Sequence, residues 1–417
     1  MLIVVVDTLR SDHLGYAGYA RDTSPNIDAL AAEGQVFDKA YAASSWTLTS
    51  MASLLTAQWP WEHRVVRDPL MGERYGVLPG RVRTLAEDYA SQGHRTGAFV
   101  NNTFLGPEFG LDQGFQHYSY RSTNDAQVRF AMETVDEALA WVDEAPEAPF
   151  FALLHVYEPH YNYRPVEPCA GRWVSAYEPS FALPVEHAQV DRWLQNVPAR
   201  TGPDRDALIA LYDEEICSAD RALGVLFDGL RERDLWDDTV VVFTSDHGEE
   251  FWDHGQFGHG QHLLSVLTQV PLIVKVPGGT VGTNPTRVGH VEVAAALRDR
   301  EGAVWDWMKS GTRVAGRPAF SSAPNRAMQA TSVIDDVERT VLFTESVAGM
   351  VYEVDERDWE GEVTAALSRD DVTTSRGYGL LKGVHDDPLE SVLPTLFSRV
   401  DVTDEQFEQL RAMGYID

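Results

Sequence analysis

Several apolar segments of this sequence stop abruptly and are followed by side chains of types that bind metals or substrates. The clearest case is the run Thr239–Thr244, because Asp246 and His247 follow it almost at once. This pattern is typical of a buried strand whose carboxyl end delivers polar residues into a cleft. Three further segments end in the same way, at Asp7, at Asn101 with Asn102, and at His155 with Glu158 and His160 close behind.

Asp7, Asp246 and His247 together offer carboxylate oxygens and one imidazole nitrogen. This donor set suits zinc or manganese best, with calcium and magnesium as the harder alternatives. We therefore predict a site for a divalent metal ion at these three residues. A structural histidine in the core is the other interpretation of His247 that the local sequence leaves open.

A nucleophile is available in the hydroxyl-rich segment 41–57, where the apolar residues from Met51 onward predict a helix. Thr47 falls just before this helix or in its first turn. Free backbone N–H groups and the helix dipole would stabilise an alkoxide there, and a bound metal ion would lower the pKa of the hydroxyl. The alternative is that Thr47 only caps the helix, which the local sequence alone favours.

Strands and helices alternate through the first two thirds of the sequence, which predicts an α/β fold with a large, mostly parallel sheet sandwiched by helices. From about residue 286 the pattern changes to short antiparallel strands such as 340–344 and 349–354, followed by an amphipathic helix at 403–415. We expect one large domain over 1–285 and a smaller C-terminal α+β subdomain over 286–417. The predicted strands of the large domain are 2–6, 95–100, 150–154, 240–244 and 270–274, and its helices are 24–34, 82–92, 128–142 and 206–230.

The charge of the chain excludes some partners. Its net charge is -30, from 64 acidic and 34 basic residues, and the acidic residues are scattered along the sequence. Such a chain is not expected to bind nucleic acid. An acidic surface with very few lysines is typical of halophilic proteins, because concentrated salt screens their self-repulsion.

The N-terminal segment and the two cysteines predict a cytoplasmic protein. The segment has no basic region and too short an apolar run for a signal peptide, and no stretch reaches the length of a membrane span. Cys169 and Cys217 show no metal-binding spacing, and we expect two buried thiols rather than a disulfide.

Several ordered motifs of the chain together resemble the sulfatase family of the alkaline phosphatase superfamily. The resemblance is specific up to about residue 275 and weaker from there to about 400. It implies an alkaline phosphatase-like fold with a sulfatase-like catalytic domain over 1–285. The motifs are Ile3–Asp12, Ser24–Asp28, Ala52–Thr56, Phe109–Phe115, Phe243–Glu249, Gly258–Gly260 and Gln409–Tyr415.

The resemblance places Thr47 at the family's nucleophile position. Sulfatases have a cysteine or serine there, which is converted to formylglycine when a proline and an arginine follow at fixed spacing. Thr49 and Met51 occupy those two places here, so this conversion is not expected. A threonine resembles the phosphodiesterase, phosphonate-monoester hydrolase and phospho-group transferase branches. Thr8 replaces a family aspartate, which favours a metal site built from Asp7, Thr47, Asp246 and His247.

The resemblance also implies roles for residues around the nucleophile. His160 and His259 are expected near the substrate, where a histidine can give a proton to a leaving group. Asn101, or alternatively Asn102, would donate to an equatorial oxygen of the transition state. His155 and Glu158 are expected to bind substrate. A second metal ion would need Glu158, His160 and His259, but their spacing is unusual, and we expect one ion.

We therefore expect a metal-dependent hydrolase that cleaves phosphate esters, and phosphate diesters in particular, through a threonine nucleophile. The alternatives are a sulfuric ester hydrolase without formylglycine, a phospho-group transferase, and a binding protein that only keeps the fold. The expected substrate is a small-molecule, glycan-linked or lipid-linked ester. Its leaving group would be recognised by the loops 102–126, 160–205 and 310–335. The sequence makes no prediction about oligomeric state.

Overall fold

In the computed structural model, one central sheet organises the chain. The structure describes residues 1–68, 74–122, 129–185, 187–194, 201–260, 263–300 and 302–311, together with six strand segments between 319 and 400. The eight strands of the central sheet are β1 (Leu2–Val6), β2 (Gln35–Phe37), β3 (Arg95–Asn101), β4 (His117–Arg121), β5 (Phe150–Val156), β6 (Val241–Thr244), β7 (Leu272–Lys275) and β8 (Gly282–Asn284).

The spatial order of these strands is β8-β2-β7-β6-β1-β5-β3-β4. β1 is parallel to both β5 and β6, and β3 is parallel to both β5 and β4. Only β7 runs antiparallel, between β6 and β2. The sequence-based prediction of a mostly parallel sheet is confirmed, and the carboxyl ends of β1, β3, β5 and β6 therefore meet along one edge.

Helices cover both faces of this sheet. Within the described residues, no helix is both long and apolar enough to cross a membrane. The helices are α1 (Pro25–Ala31), α2 (Thr47–Thr56), α3 (Pro60–His63), α4 (Leu85–Ser91), α5 (Ala131–Asp143), α6 (His187–Leu194), α7 (Pro203–Glu232), α8 (Ser265–Thr268), α9 (His290–Asp299) and α10 (Gly302–Ser310).

The sequence of β1 explains why the sheet is buried on both sides. Its five residues are all aliphatic, and successive side chains of a strand point to opposite faces. Leu2, Val4 and Val6 join the core cluster that includes α5 and α7. Ile3 and Val5 join the opposite cluster, which includes α2 and α9. A continuous apolar run of this kind is what a central parallel strand requires.

Five of the six strand segments beyond residue 318 form a separate antiparallel sheet. Its strands are Ala319–Ser322, Ala327–Ile334, Val337–Thr344, Val351–Asp355 and Val363–Leu367. This agrees with the antiparallel strands expected at 340–344 and 349–354. The predicted helix at 403–415 lies outside the described residues. The domain boundary at 285 and 286 stays a prediction.

The expectation of two free thiols is wrong, because Cys169 and Cys217 form a disulfide. The bond joins the loop after β5 to α7, and the two residues are 48 positions apart in sequence. The Glu214 side chain holds the same loop by accepting hydrogen bonds from the backbone N–H groups of Gly171, Trp173 and Val174. The local sequence gives no sign of this approach, which depends on how the loop folds back onto α7.

Candidate active site

Four buried side chains converge at the carboxyl edge of the central sheet. Asp7 follows β1, His155 lies near the end of β5, and Asp246 and His247 follow β6. Because β1 lies between β5 and β6 and is parallel to both, the three strands deliver these residues to one place. All four residues are 0% exposed.

The hydrogen bonds of His247 determine which ring nitrogen faces the carboxylates. Nδ1 lies 2.9 Å from the Gly248 carbonyl oxygen, which can only accept, so Nδ1 carries a proton. In the neutral ring, Nε2 then carries a lone pair. Nε2 lies 3.4 Å from Asp246 Oδ2 and 3.9 Å from Asp7 Oδ1. Three electron-rich atoms thus face one another, which favours a cation between them.

The unpaired atoms of the site also fit a metal ion. Asp7, His155 and Asp246 each offer one ligand atom, and these atoms lie within 4.8 Å of one another. Within the described residues, Asp7 Oδ1, Asp246 Oδ2 and both ring nitrogens of His155 are buried without a hydrogen-bond partner. Unpaired buried polar atoms are costly. Carboxylate oxygens and imidazole nitrogens are suitable ligands for a divalent ion, which would give these atoms partners.

The pKa of Asp7 also indicates that this site favours a bound cation. Burial raises the pKa of this carboxyl group well above its ordinary value, and the neighbouring Asp246 carboxylate raises it further. A divalent ion would reverse this effect by stabilising both charges. His155, which we predicted to bind substrate, lies among these candidate ligands, with Nε2 3.6 Å from Asp7 Oδ2.

Thr47 is the first residue of α2, and its hydroxyl group faces the candidate metal site. Trp46 is the N-cap residue of this helix, and no side chain caps it. Thr47 Oγ1 lies 3.2 Å from His247 Nε2 and accepts a hydrogen bond from Asn102 Nδ2 at 3.4 Å. In the neutral His247 ring Nε2 is an acceptor, so the threonine hydroxyl donates to it. The hydroxyl is therefore available for chemistry rather than engaged in capping the helix.

The structure brings Asn102 to the site instead of Asn101. The amide of Asn102 donates to Asp7 Oδ2 at 2.8 Å as well as to Thr47. Asn101 is the last residue of β3, and its amide donates to the His155 carbonyl oxygen at 2.7 Å and accepts from Arg129. The proposed transition-state contact of Asn101 does not fit this geometry, because neighbouring residues at a strand end point in opposite directions.

Backbone strain at Thr8 accompanies the approach of β1 to β6. Thr8 has a φ of 56°, a region that β-branched residues rarely adopt. Its N–H donates to Asp246 Oδ1 at 3.1 Å, and its carbonyl oxygen accepts from Tyr212 at 2.8 Å. This turn orients the Asp246 carboxylate from the side opposite its unpaired oxygen.

Gly248 allows the segment after β6 to pass very close to a neighbouring loop. A Cβ atom at this position would lie 2.0 Å from the Val266 carbonyl oxygen, which no side chain could tolerate. The Gly248 N–H donates to the Leu267 carbonyl oxygen at 2.8 Å. The glycine after Asp246 and His247 is thus required by packing.

His160 and His259 lie beside His247, as a group of three imidazole rings. The ring centroids of His247 and His259 are 4.4 Å apart, and those of His259 and His160 are 4.9 Å apart. His259 Nδ1 lies 2.8 Å from Oε1 of Glu249, a residue that the sequence had not identified as a candidate. The available signal was its position two residues after His247.

Glu158 is buried against a helix end. Its Oε1 accepts from the N–H of Ala131, the first residue of α5, at 2.9 Å, and its Oε2 has no partner among the described residues. Burial raises the pKa of Glu158 to about 7. This environment does not show the contact with substrate that the resemblance implied, and that role stays a prediction.

The raised pKa of Glu158 predicts a pH-dependent loss of stability. Since the folded state holds this proton more tightly, the free energy of unfolding should fall as pH rises from the unfolded pKa near 4.5 to about 7. Glu158→Gln should remove up to about 3 kcal/mol of this loss. Urea unfolding of both proteins at pH 5 and pH 8 measures the difference.

The matched control for this prediction is Asp136→Asn. Asp136 is exposed on α5, the helix whose first residue donates to Glu158. An equal pH dependence of unfolding in Glu158→Gln and the wild type would contradict the assignment to Glu158.

Comparisons with known proteins agree with this fold. A family model described as "Sulfatase" matches residues 1–302. The chain is 24% identical over 348 residues to the uncharacterized sulfatase YidJ of Escherichia coli (strain K12). The aligned region covers 71% of this chain and 66% of that protein. It therefore spans about two thirds of the length of that curated relative.

Two solved structures show the same fold at low sequence identity. The phosphonate monoester hydrolase of Agrobacterium radiobacter superposes with a TM-score of 0.69 at 19% identity, covering 97% of this chain and 98% of that one. A protein solved with its substrate D-glucosamine-2-N,6-O-disulfate gives a TM-score of 0.72 at 14% identity, covering 93% and 96% of the two chains.

Proposed function

The chain belongs to the sulfatase family. We propose that it is a metal-dependent hydrolase that uses Thr47 to cleave phosphate esters, and phosphate diesters in particular. The observation that carries this proposal is the position of the Thr47 hydroxyl group. It lies at the first residue of α2 and 3.2 Å from His247 Nε2, beside two buried carboxylates. A helix N-terminus and a cation are the two features that most favour an alkoxide.

The candidate ligands are Asp7, Asp246, His155 and His247. A divalent ion held by these residues would neutralise charge on the ester and lower the pKa of the Thr47 hydroxyl. The donor set favours zinc or manganese. Among the residues that the structure describes, one group of converging ligands is present, which supports one ion. Asn102 would hold the Thr47 oxygen in place through its amide, at 3.4 Å.

The charge of the site supports an ester group with a single negative charge. None of the hydrogen bonds or ion pairs made by Asp7, Thr47 and Asp246 involves an arginine or lysine of the described residues. Two carboxylates would balance one divalent ion, so little positive charge remains for a dianion. Phosphate diesters and sulfate monoesters carry one negative charge, whereas phosphate monoesters near neutral pH carry nearly two.

The nucleophile favours the phosphate diester over the sulfate ester. After the first displacement, the phospho or sulfo group would be esterified to the Thr47 oxygen. Water must then attack the phosphorus or sulfur atom of that ester in a second displacement. The similarity to a phosphonate monoester hydrolase, whose substrate class also carries phosphorus, supports this assignment. Sulfate-ester hydrolysis is the second candidate, because one structural neighbour was solved with a sulfated sugar as its substrate.

A rate panel with one shared leaving group tests the proposal. The metal-loaded protein is given bis(4-nitrophenyl) phosphate, 4-nitrophenyl phosphate and 4-nitrophenyl sulfate, and nitrophenolate release is followed. We expect the highest kcat/KM for the diester. The highest value for the sulfate would instead establish the second candidate. Transfer of the phospho group to added ethanolamine, in preference to water, would indicate a transferase.

The expected cytoplasmic and high-salt setting stays a prediction. The net charge of -30 supports high salt, because screening would reduce self-repulsion. The Cys169–Cys217 disulfide argues against a reducing compartment, where such bonds are rare. Thiol titration of the denatured protein, taken directly from its own cells, would measure which form exists there.

A further inference from the structure

A cavity of about 650 Å³ lies against the hairpin in which Glu250–Phe251 pairs with Phe257–Gly258. Its walls come from the segment after β1, the start of α7, the turn of the hairpin, and the first residues of α8. The described lining includes neither Thr47 nor any of the candidate metal ligands. Its volume is in the range of sites for small molecules. The cavity is therefore a second place where a ligand can bind.

One wall of the cavity is a network of ion pairs. Asp253 accepts from Arg10 at 3.0 Å through one carboxylate oxygen and from Arg205 at 2.9 Å through the other. Arg10 also donates to the Glu249 carbonyl oxygen at 3.2 Å, and Arg205 donates to the Phe251 carbonyl oxygen at 2.5 Å. Because these bonds join the loop after β1, the hairpin and α7, the wall is preformed, which lowers the entropic cost of binding a ligand.

Trp252 gives the cavity an aromatic surface, although its backbone is strained. Its φ is 56°, a region that bulky residues rarely adopt and that glycine adopts without strain. The indole stacks on Phe257 with ring centroids 4.9 Å apart and meets the ring of Trp193 at 6.2 Å. Strain of this kind clusters at binding sites, so a tryptophan in this turn is a second indication of a ligand.

The cavity also presents hydrogen-bonding groups that the protein does not use. Among the residues that the structure describes, the Asp206 carboxylate, the hydroxyl groups of Ser11 and Ser265, and Arg205 Nη1 have no hydrogen-bond partner in the protein. A carboxylate accepts, a guanidinium donates, and a hydroxyl group does both. This mixture suits a ligand rich in hydroxyl groups, because each hydroxyl of the ligand can also donate and accept.

The charges of the lining favour a neutral ligand. With His254 neutral, the described lining has two positive and three negative side chains. An anion would be repelled by Asp206, whose charge has no partner among the described residues. A cation would be repelled by the guanidinium groups of Arg10 and Arg205. Like charges brought together in a binding site lower affinity, and a neutral ligand avoids both repulsions.

We propose that this cavity binds a neutral sugar, a hexopyranose unit whose ring stacks on Trp252 and whose hydroxyl groups bond to Asp206 and Arg205. The C–H groups on one face of such a ring are apolar, and they pack on the electron-rich face of an indole. The hydroxyl groups surround the ring edge, where they meet the mixed donors and acceptors. The proposal does not rest on ester hydrolysis at Thr47, because the cavity lies outside the candidate metal site.

Titration calorimetry on the full chain tests this proposal with the methyl pyranosides of glucose, galactose, mannose and N-acetylglucosamine as probes. We expect at least one of them to bind, with the same Kd in chelator and in excess metal. Asp206→Ala should raise this Kd about tenfold, because a hydrogen bond to a charged group is lost. Trp252→Leu, which keeps an apolar side chain but removes the aromatic face, should raise it by at least as much.

Asp228→Ala is the matched control. Asp228 is an exposed aspartate near the other end of α7, where it pairs with Arg231 at 3.0 Å. This variant should bind the sugar with the wild-type Kd. Melting temperatures show whether each variant is folded. Because Asp206 is exposed, Asp206→Ala should melt like the wild type, so the test stays decisive if Trp252→Leu is unstable.

The possible results either support or overturn the sugar site. A raised Kd in Asp206→Ala with an unchanged Kd in Asp228→Ala supports it. Failure of the wild type to bind any of the four glycosides, or an unchanged Kd in Asp206→Ala, would overturn it. Tighter binding of tetramethylammonium than of every glycoside would overturn the choice of a neutral ligand. A Kd that depends on metal would place the sugar at the candidate metal site and so contradict the assignment to this cavity.

Discussion

Thr47→Ala is expected to lower ester turnover at least about 10,000-fold, because it removes the oxygen atom on which the proposed covalent intermediate forms. Thr47 Oγ1 accepts from Asn102 and donates to His247, so the loss also leaves one donor and one acceptor unpaired. Initial rates on the preferred ester, with metal content measured on the same samples, test this expectation.

Thr47→Ser is the control for this variant. It keeps the hydroxyl group at the first residue of α2 and removes only a methyl group, so turnover should stay within about tenfold of the wild type. Mass spectrometry of quenched wild-type reactions should find the phospho group on Thr47. Turnover by Thr47→Ala at the wild-type rate would rule out this residue as the nucleophile.

The second large effect concerns Asp246→Asn, which should abolish metal binding and turnover together. The variant replaces one of two neighbouring buried carboxylates, and an amide oxygen is a much weaker ligand than a carboxylate oxygen. In the wild type, a metal at a hundred times its Kd should add about 2.7 kcal/mol to the free energy of unfolding. Asp246→Asn should show almost none of this gain when metal is added.

In the absence of metal, Asp246→Asn should instead be the more stable of the two proteins. Without a cation, the Asp246 carboxylate is one cause of the raised pKa of Asp7, because the two charges repel each other in a buried place. Neutralising Asp246 removes this repulsion, so metal-free Asp246→Asn should melt at a higher temperature than the metal-free wild type. Thermal melts in chelator and in excess metal measure both effects.

Asp253→Asn is the control, since Asp253 is a partly buried aspartate that pairs with Arg10 at 3.0 Å and with Arg205 at 2.9 Å. It should keep the full metal-dependent rise in melting temperature. A wild-type metal stoichiometry in Asp246→Asn would contradict the assigned ligand set.

The sequence alone predicted five of the eight strands of the central sheet, and it placed the ends of these five to within about two residues. The short strands β2, β4 and β8 were not predicted. Long apolar runs without alternation indicate strands that are buried on both faces, and β1, β5 and β6 have this character. The polar residues that follow them were recognisable as candidates for the same reason. Asp7, Asp246 and His247 could therefore be proposed together before any distance was known.

Choices between neighbouring residues required the tertiary structure. Asn101 and Asn102 are chemically identical in sequence, and only the end of β3 decides that Asn102 faces Thr47. His155 was expected at the substrate, yet the parallel pairing of β1 with β5 places it beside Asp7. A change of one residue at a strand end reverses the direction of a side chain, and sequence patterns do not resolve this.

By itself, the sequence determined the type of chemistry, because residue types at strand ends define which ligands and nucleophiles exist. The tertiary structure alone decided which atoms meet. The Cys169–Cys217 bond and the pair of Glu249 with His259 both depend on chain segments folding back upon each other. Contacts between residues distant in sequence arise from packing of the whole core, whereas local patterns report only the nearest turns of the chain.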